Sequence, residues 1–157
     1  MRSNKGFSLI ELLLVVAVVT IIAAIAIPNY LKARLRANES SAVSSLHSIS
    51  TAAVLYSVTY PDLGFPALLT TLGGANPCSP SSTTACLIDD TLAVGTKGGY
   101  SFTWTGDGLT PSYSFTVAGT PLAVGSSGQR MYCTDQSGVI HYDPTGAGCT
   151  LTSLVLQ

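Results

Sequence analysis

Between Phe7 and Ile27 the chain presents 21 residues in which the only ionisable side chain is Glu11. No other feature constrains the fold as strongly. A helix over this run is ~32 Å long, enough to cross the hydrocarbon core of a bilayer. A soluble domain has no room for so long a helix that is apolar on every side. A carboxylate inside such a segment is expensive in lipid, so Glu11 is read as functional. Arg2 and Lys5 precede the run and favour keeping its start in the cytoplasm, whereas Lys32, Arg34 and Arg36 follow it and partly oppose that orientation. An ordinary secretory signal is the competing reading, with Ala24-Ile25-Ala26 as a small-x-small cleavage site. The run is longer than a signal core of about 7–15 residues, Glu11 would sit inside that core, and no helix breaker precedes Ala26.

The rest of the chain differs in composition. Five of the seven basic residues lie at or before Arg36, while beyond residue 40 only Lys97 and Arg130 oppose Asp62, Asp89, Asp90, Asp107, Asp135 and Asp143. The net charge of −1 argues against nucleic-acid binding through a general basic field. All four cysteines, Cys78, Cys86, Cys133 and Cys149, fall in this distal part. An even count outside the cytoplasm reads as two disulfides. Three pairings are possible, and short local loops favour Cys78–Cys86 with Cys133–Cys149, each stabilising by about 3 kcal/mol in the chain-entropy model. Zinc is the competing reading, but the spacings lack the close Cys pairs that metal sites use.

Pro28 interrupts the helical pattern and predicts a kink or unpaired carbonyls. Past it the pattern turns amphipathic. Leu31, Leu35, Ala42, Leu46, Ile49, Ala53, Tyr56 and Tyr60 form one stripe, expected to pack on the distal domain from about residue 42. The serines at 40, 41, 44, 45 and 48 lie largely off it. The helix is expected from about Phe7 to Tyr60, ending where Pro61, Gly64 and Pro66 crowd together.

Alternating aromatic and hydroxyl residues predict strands at Tyr100–Thr105 and Tyr113–Val117, with two more at Arg130–Thr134 and Val139–Tyr142. A short helical turn is expected over Ala67–Leu72, and Leu87–Val94 and the apolar tail Leu151–Leu156 carry no clear assignment. The fold class is therefore α+β: a long N-terminal helix packed on a C-terminal antiparallel sheet of about four strands.

Lys5-Gly6-Phe7-Ser8-Leu9-Ile10-Glu11, followed by the apolar helix, resembles the N-terminus of a type IV prepilin, the precursor of pilin and type II secretion pseudopilin subunits. The resemblance is strong over residues 5–30, looser to about 60, and only architectural beyond. It implies a leader peptide at 1–6 removed by prepilin peptidase between Gly6 and Phe7, and N-methylation of Phe7. A small residue such as Gly6 lets the scissile backbone enter a protease site. It further implies a transmembrane and filament-core half at 7–30, an amphipathic half at 31–60 and a globular head at 61–157. Many family members carry a proline at the position of Pro28. Glu11 is expected to pair with the Phe7 amine of a neighbouring copy and to set register during assembly; neutralising its own Phe7 amine is the simpler alternative. The implied partners are copies of the chain in a helical filament, the peptidase, an assembly platform protein with its ATPase, and the inner membrane before assembly. The implied function is a structural subunit of a type IV pilus, with a pseudopilin or a minor or tip pilin as alternatives.

No enzyme, cofactor or metal site is expected. Only His47 and His141 could serve as a base, and no Gly-x-Ser-x-Gly elbow surrounds a serine. Gly95-Thr96-Lys97-Gly98-Gly99 lacks the spacing of a phosphate loop. Asp89-Asp90 could contribute to a calcium site, but a solvated turn is favoured. Asn38-Glu39-Ser40 matches a glycosylation triplet, yet within a helix it reads as chance.

Overall fold

The computed structural model describes residues 7–75 and 77–156. The expected leader, with Arg2, Lys5 and Gly6, lies outside the described residues, as does Asn76. Two compact units are distinguished, one ending at Arg34 and the other beginning at Leu35.

Helix α1 spans Leu9–Thr59. Between Leu12 and Ile27 it is apolar on every side, and its richest 18-residue window is 0% buried with a mean hydropathy of 3.0. Pro28 lies inside α1, which continues through it without a break in assignment. The ring still removes one backbone donor, so the Ala24 carbonyl lacks its partner one turn on.

The second unit builds its own core. Ala42, Leu46, Ile49, Ala53 and Tyr56 are buried along one stripe of α1, as their spacing predicts. Ser45 and Ser50, 5% and 7% exposed, are buried beside them. This corrects the placing of Ser45 off the stripe: serine is small enough to sit under the sheet. Leu31 is exposed, so the buried stripe begins at Ala42. After the helix, Leu69–Leu72 forms a 3-10 turn and Asp90–Ala93 a single α-helical turn, α2, with Asp89 as its N-cap. The Asp89 carboxylate accepts from the Leu92 backbone N–H at 2.8 Å, which satisfies a donor the short helix cannot.

The sheet has six antiparallel strands in simple meander order. They are β1 Thr96–Lys97, β2 Tyr100–Gly106, β3 Phe115–Pro121, β4 Met131–Asp135, β5 His141–Asp143 and β6 Leu154–Val155. The four strands expected correspond to β2–β5, and the two-residue β1 and β6 extend the sheet at its edges. The unassigned tail thus finds its place as an edge strand on β5. Lys97 pairs with Tyr100 across Gly98-Gly99, whose φ values of 59° and 80° fit the two-residue primed turn that only glycine adopts freely.

β3 starts two residues later than expected and runs further. Tyr113, expected as the first residue of this strand, is 70% exposed. Its backbone N–H donates to Asp107 Oδ2 at 2.8 Å and that of Ser114 to the same atom at 3.1 Å, which holds both residues in the connecting loop. The far end of β3 contains Gly119 and Pro121, poor strand formers by composition. Gly119 faces Phe102, and a Cβ there would lie 3.2 Å from the Phe102 ring and 3.7 Å from Leu46 Cδ1. Its missing side chain lets the aromatic core close over the helix.

Tyr100, Phe102, Phe115, Val117, Tyr132 and Ile140 of the sheet region join Leu46, Ile49 and Tyr56 in one hydrophobic cluster. Trp104 stacks on Phe115 with centroids 4.5 Å apart, and Phe65 meets the same ring edge-on at 4.9 Å. Cys78 is bonded to Cys86, and Cys133 to Cys149. The first bridge closes the loop after the 3-10 turn; the second joins β4 to the segment before β6.

Candidate functional site

The candidate site is the start of α1. Ser8 precedes the first helical residue, and Glu11 occupies the third position of the first turn. The Ser8 backbone N–H donates to Glu11 Oε2 at 2.9 Å. This is the glutamate half of a capping box: the side chain reaches back to a donor that the helix leaves without a partner. The carboxylate also lies at the positive end of the helix dipole. Ser8-Leu9-Ile10-Glu11 carries that capping pattern in sequence. Phe7 stands just before the cap, 78% exposed. Further along, Thr20 Oγ1 donates to the Ala17 carbonyl at 2.9 Å, so its hydroxyl is satisfied within the helix.

Polar groups that sequence singled out in the second unit are occupied by structural tasks. Asp89 caps α2 and pairs with Lys97 Nζ at 2.6 Å. Those contacts, led by the Lys97 ammonium and the Thr91 hydroxyl, hold its carboxyl down at about 2. Asp90 accepts from the Gly74 backbone N–H at 3.2 Å. Among the described residues no group of three or more His, Cys, Asp or Glu side chains is placed to hold a metal. Both cystines commit the thiols that a zinc site would need.

His47 is exposed on α1, and His141 Nδ1 lies 2.9 Å from the Ser153 carbonyl. Neither faces a serine or cysteine nucleophile in a hydrogen bond. Asn38 Nδ2 donates to the Ser127 carbonyl at 2.7 Å, so the amide of the glycosylation triplet is engaged in a contact with the loop before β4. Its neighbour Glu39 accepts from the backbone N–H groups of Gln129 and Arg130 at 3.0 and 3.2 Å. Asn38 and Glu39 therefore pin the loop before β4 to the helix, a role with no sequence signature because its partners are backbone atoms some 90 residues away.

A groove of about 600 Å³ is lined among others by Tyr56, Phe65, Leu68, Thr71 and Leu109. Tyr56 donates its hydroxyl to the Ser82 carbonyl at 2.6 Å, and burial raises its pKa. The groove thus offers apolar walls and hydroxyls without an acid–base pair.

Comparison with known proteins agrees with the weight of the N-terminal segment. Residues 1–27 match the model of the prokaryotic N-terminal methylation motif. The chain is 51% identical over 49 residues to the type IV major pilin protein PilA of Myxococcus xanthus, covering 31% of this chain and 22% of that protein. It is 53% identical over 47 residues to the type IV wide pilus major component of Thermus thermophilus, covering 30% and 36%. A fimbrial protein of Pseudomonas aeruginosa is 49% identical over 53 residues, covering 34% of each chain. The matched segments thus span only about a fifth to a third of these relatives. No solved structure is significantly similar to the chain. The chain carries the prokaryotic N-terminal methylation motif, is similar to type IV pilins over about a third of its length, and has the long helix and antiparallel sheet of a pilin-like fold.

Proposed function

We propose that this chain is a structural, non-enzymatic subunit of a type IV pilus filament, held in the inner membrane before assembly and extracellular after it. In this reading prepilin peptidase removes residues 1–6 by cutting between Gly6 and Phe7, and the new Phe7 amine is methylated. Residues 7–30 first span the membrane and then line the filament core among copies of the same chain. Residues 31–60 form the amphipathic half of the helix, and 61–157 the head. Prepilin peptidase, an assembly platform protein and its ATPase are the partners this route requires.

The observation that carries the reading is Glu11, the single ionisable group of the Phe7–Ile27 run, at the first turn of a helix that matches the methylation motif. An α-amine is largely protonated at neutral pH, with a free pKa near 8. Lipid and a packed helical core both penalise that charge unless a counter-ion is close. Glu11 supplies it, from its own Phe7 or from a neighbour. Transfer from lipid to neighbouring apolar helices changes the partner of the segment and not its polarity, so extraction needs little net transfer free energy.

Because Glu11 also caps its own helix, Glu11→Ala alone cannot separate charge from capping. Glu11→Ala removes both, whereas Glu11→Gln keeps a capping amide oxygen and removes the charge. Both variants are expected to be cleaved normally and to yield few or no filaments. Filament yield from Glu11→Gln equal to wild type would refute the counter-ion role.

A further inference from the structure

Just past the apolar run stand Tyr30, Lys32 and Arg34, all exposed on α1. Neither cation has a carboxylate three or four residues away on the helix, since those positions hold Pro28, Asn29, Tyr30, Leu31, Leu35, Arg36, Ala37 and Asn38. Among the described residues the single ion pair is Lys97 with Asp89. Lys32 and Arg34 are therefore solvated cations, with Arg36 following in sequence. They also lie on the side of the membrane where positive charge opposes the preferred topology.

We infer that Tyr30, Lys32 and Arg34 bind the phosphates of anionic phospholipids at the membrane surface beyond Ile27. The inference rests on the reading of Phe7–Ile27 as a membrane span. At ~1.5 Å per residue Tyr30 lies ~4.5 Å past Ile27, Lys32 ~7.5 Å and Arg34 ~10.5 Å. The headgroup layer is about 5–7 Å thick on each side of the hydrocarbon core, so Tyr30 falls within it, Lys32 at its outer edge and the Arg34 backbone ~3 Å beyond it. Helical side chains lean toward the N-terminus, so Lys32 and Arg34 reach back toward the lipid. Two residues apart, they project about 200° from each other and engage different lipids around the helix. Tyr30, 66% exposed, has the amphipathic ring that settles at headgroup depth. Arg34 offers a planar fork to a phosphate and Lys32 a point charge. The collar would retain the precursor in the bilayer until copies assemble and would release its lipids as the helix leaves.

The test uses the full chain in nanodiscs containing equal amounts of phosphatidylglycerol and phosphatidylcholine, with retained lipids counted by native mass spectrometry. Wild type is expected to retain phosphatidylglycerol preferentially, and each of Lys32→Gln and Arg34→Gln to weaken that preference about fivefold at low salt. Higher ionic strength should weaken it further. Equal retention of the two lipids by wild type, or an unchanged preference in the double variant, would overturn the inference. So would binding of these cations to the acidic surface of another copy with no lipid preference. Resistance to alkaline carbonate extraction reports insertion separately: a chain that inserts but shows no lipid preference loses only the collar, whereas one that fails to insert loses the membrane reading with it.

Discussion

The two units of this protein handle apolar side chains in opposite ways. Leu12, Leu13, Val16, Ile21 and Ile25 of the first unit are each about half exposed or more. In the second unit, Leu46, Ile49, Leu72 and Val117 are fully buried. One region completes its hydrophobic burial within the chain and the other leaves its apolar side chains exposed. At ~25 cal/mol per Å² of apolar area, leaving a 21-residue helix uncovered in water is prohibitive. The second unit explains why the protein folds; the first is the part that the proposed reading places in a membrane or among other copies.

The sharpest way to break this contrast is to cut one large side chain in each region. Leu46→Ala opens a cavity beside Gly119 and Phe102 and should cost about 2–5 kcal/mol. Val16→Ala, exposed and without internal partners, should leave thermal unfolding of the second unit unchanged in detergent. Calorimetry on both variants checks this, and a comparable loss from Val16→Ala would show that the two regions share a core.

Next in size are the cystines, both confined to the second unit. Replacing Cys133 and Cys149 together by serine should cost about 3 kcal/mol, and the same change at Cys78 and Cys86 slightly less, because its loop is shorter. Denaturant titration of each double variant measures the difference. Both should leave the membrane insertion of the full chain intact.

The smallest effect is a pH dependence. Asp107 is held at about 2 by the backbone N–H groups of Leu109 and Tyr113, and Asp143 at about 2 by the Thr145 hydroxyl and the Gly148 backbone N–H. An unfolded aspartate titrates near 3.9. A depressed folded pKa adds stability above the unfolded value and loses it as pH falls through the folded one. The second unit should therefore weaken between about pH 4 and pH 2, with the Asp107→Asn variant showing a shallower decline. Both carboxylates are solvent-exposed, so the effect is modest. An acid profile unchanged by Asp107→Asn would remove that loop clamp from the account.

Legibility in the sequence followed the same division. Where one physical rule dominates, as in the Phe7–Ile27 run or the stripe from Ala42 to Tyr56, reading by hydropathy and period found the element and its buried face. It also found the four longer strands, because Tyr100, Phe102 and Trp104 alternate with hydroxyl residues. It missed what depends on backbone partners or on contacts far apart in sequence. Tyr113 looked like a strand residue until Asp107 held its N–H in a loop. Ser45 looked like surface until the sheet closed over it. β1 and β6 are too short to show a period. The capping bond of Glu11 is legible in Ser8-Leu9-Ile10-Glu11, because a Ser followed three residues on by Glu is the capping-box pattern. The Asn38 and Glu39 contacts with the loop before β4 had no local signal at all.

The central claim is that the chain is cut after Gly6 and assembles through the helix that begins at Phe7. Mass spectrometry of the N-terminal peptide from sheared surface filaments tests it most directly. The account predicts a peptide beginning with N-methyl-Phe7. A mature N-terminus at Ile27, as a secretory signal would leave, or an uncut Met1 would contradict it.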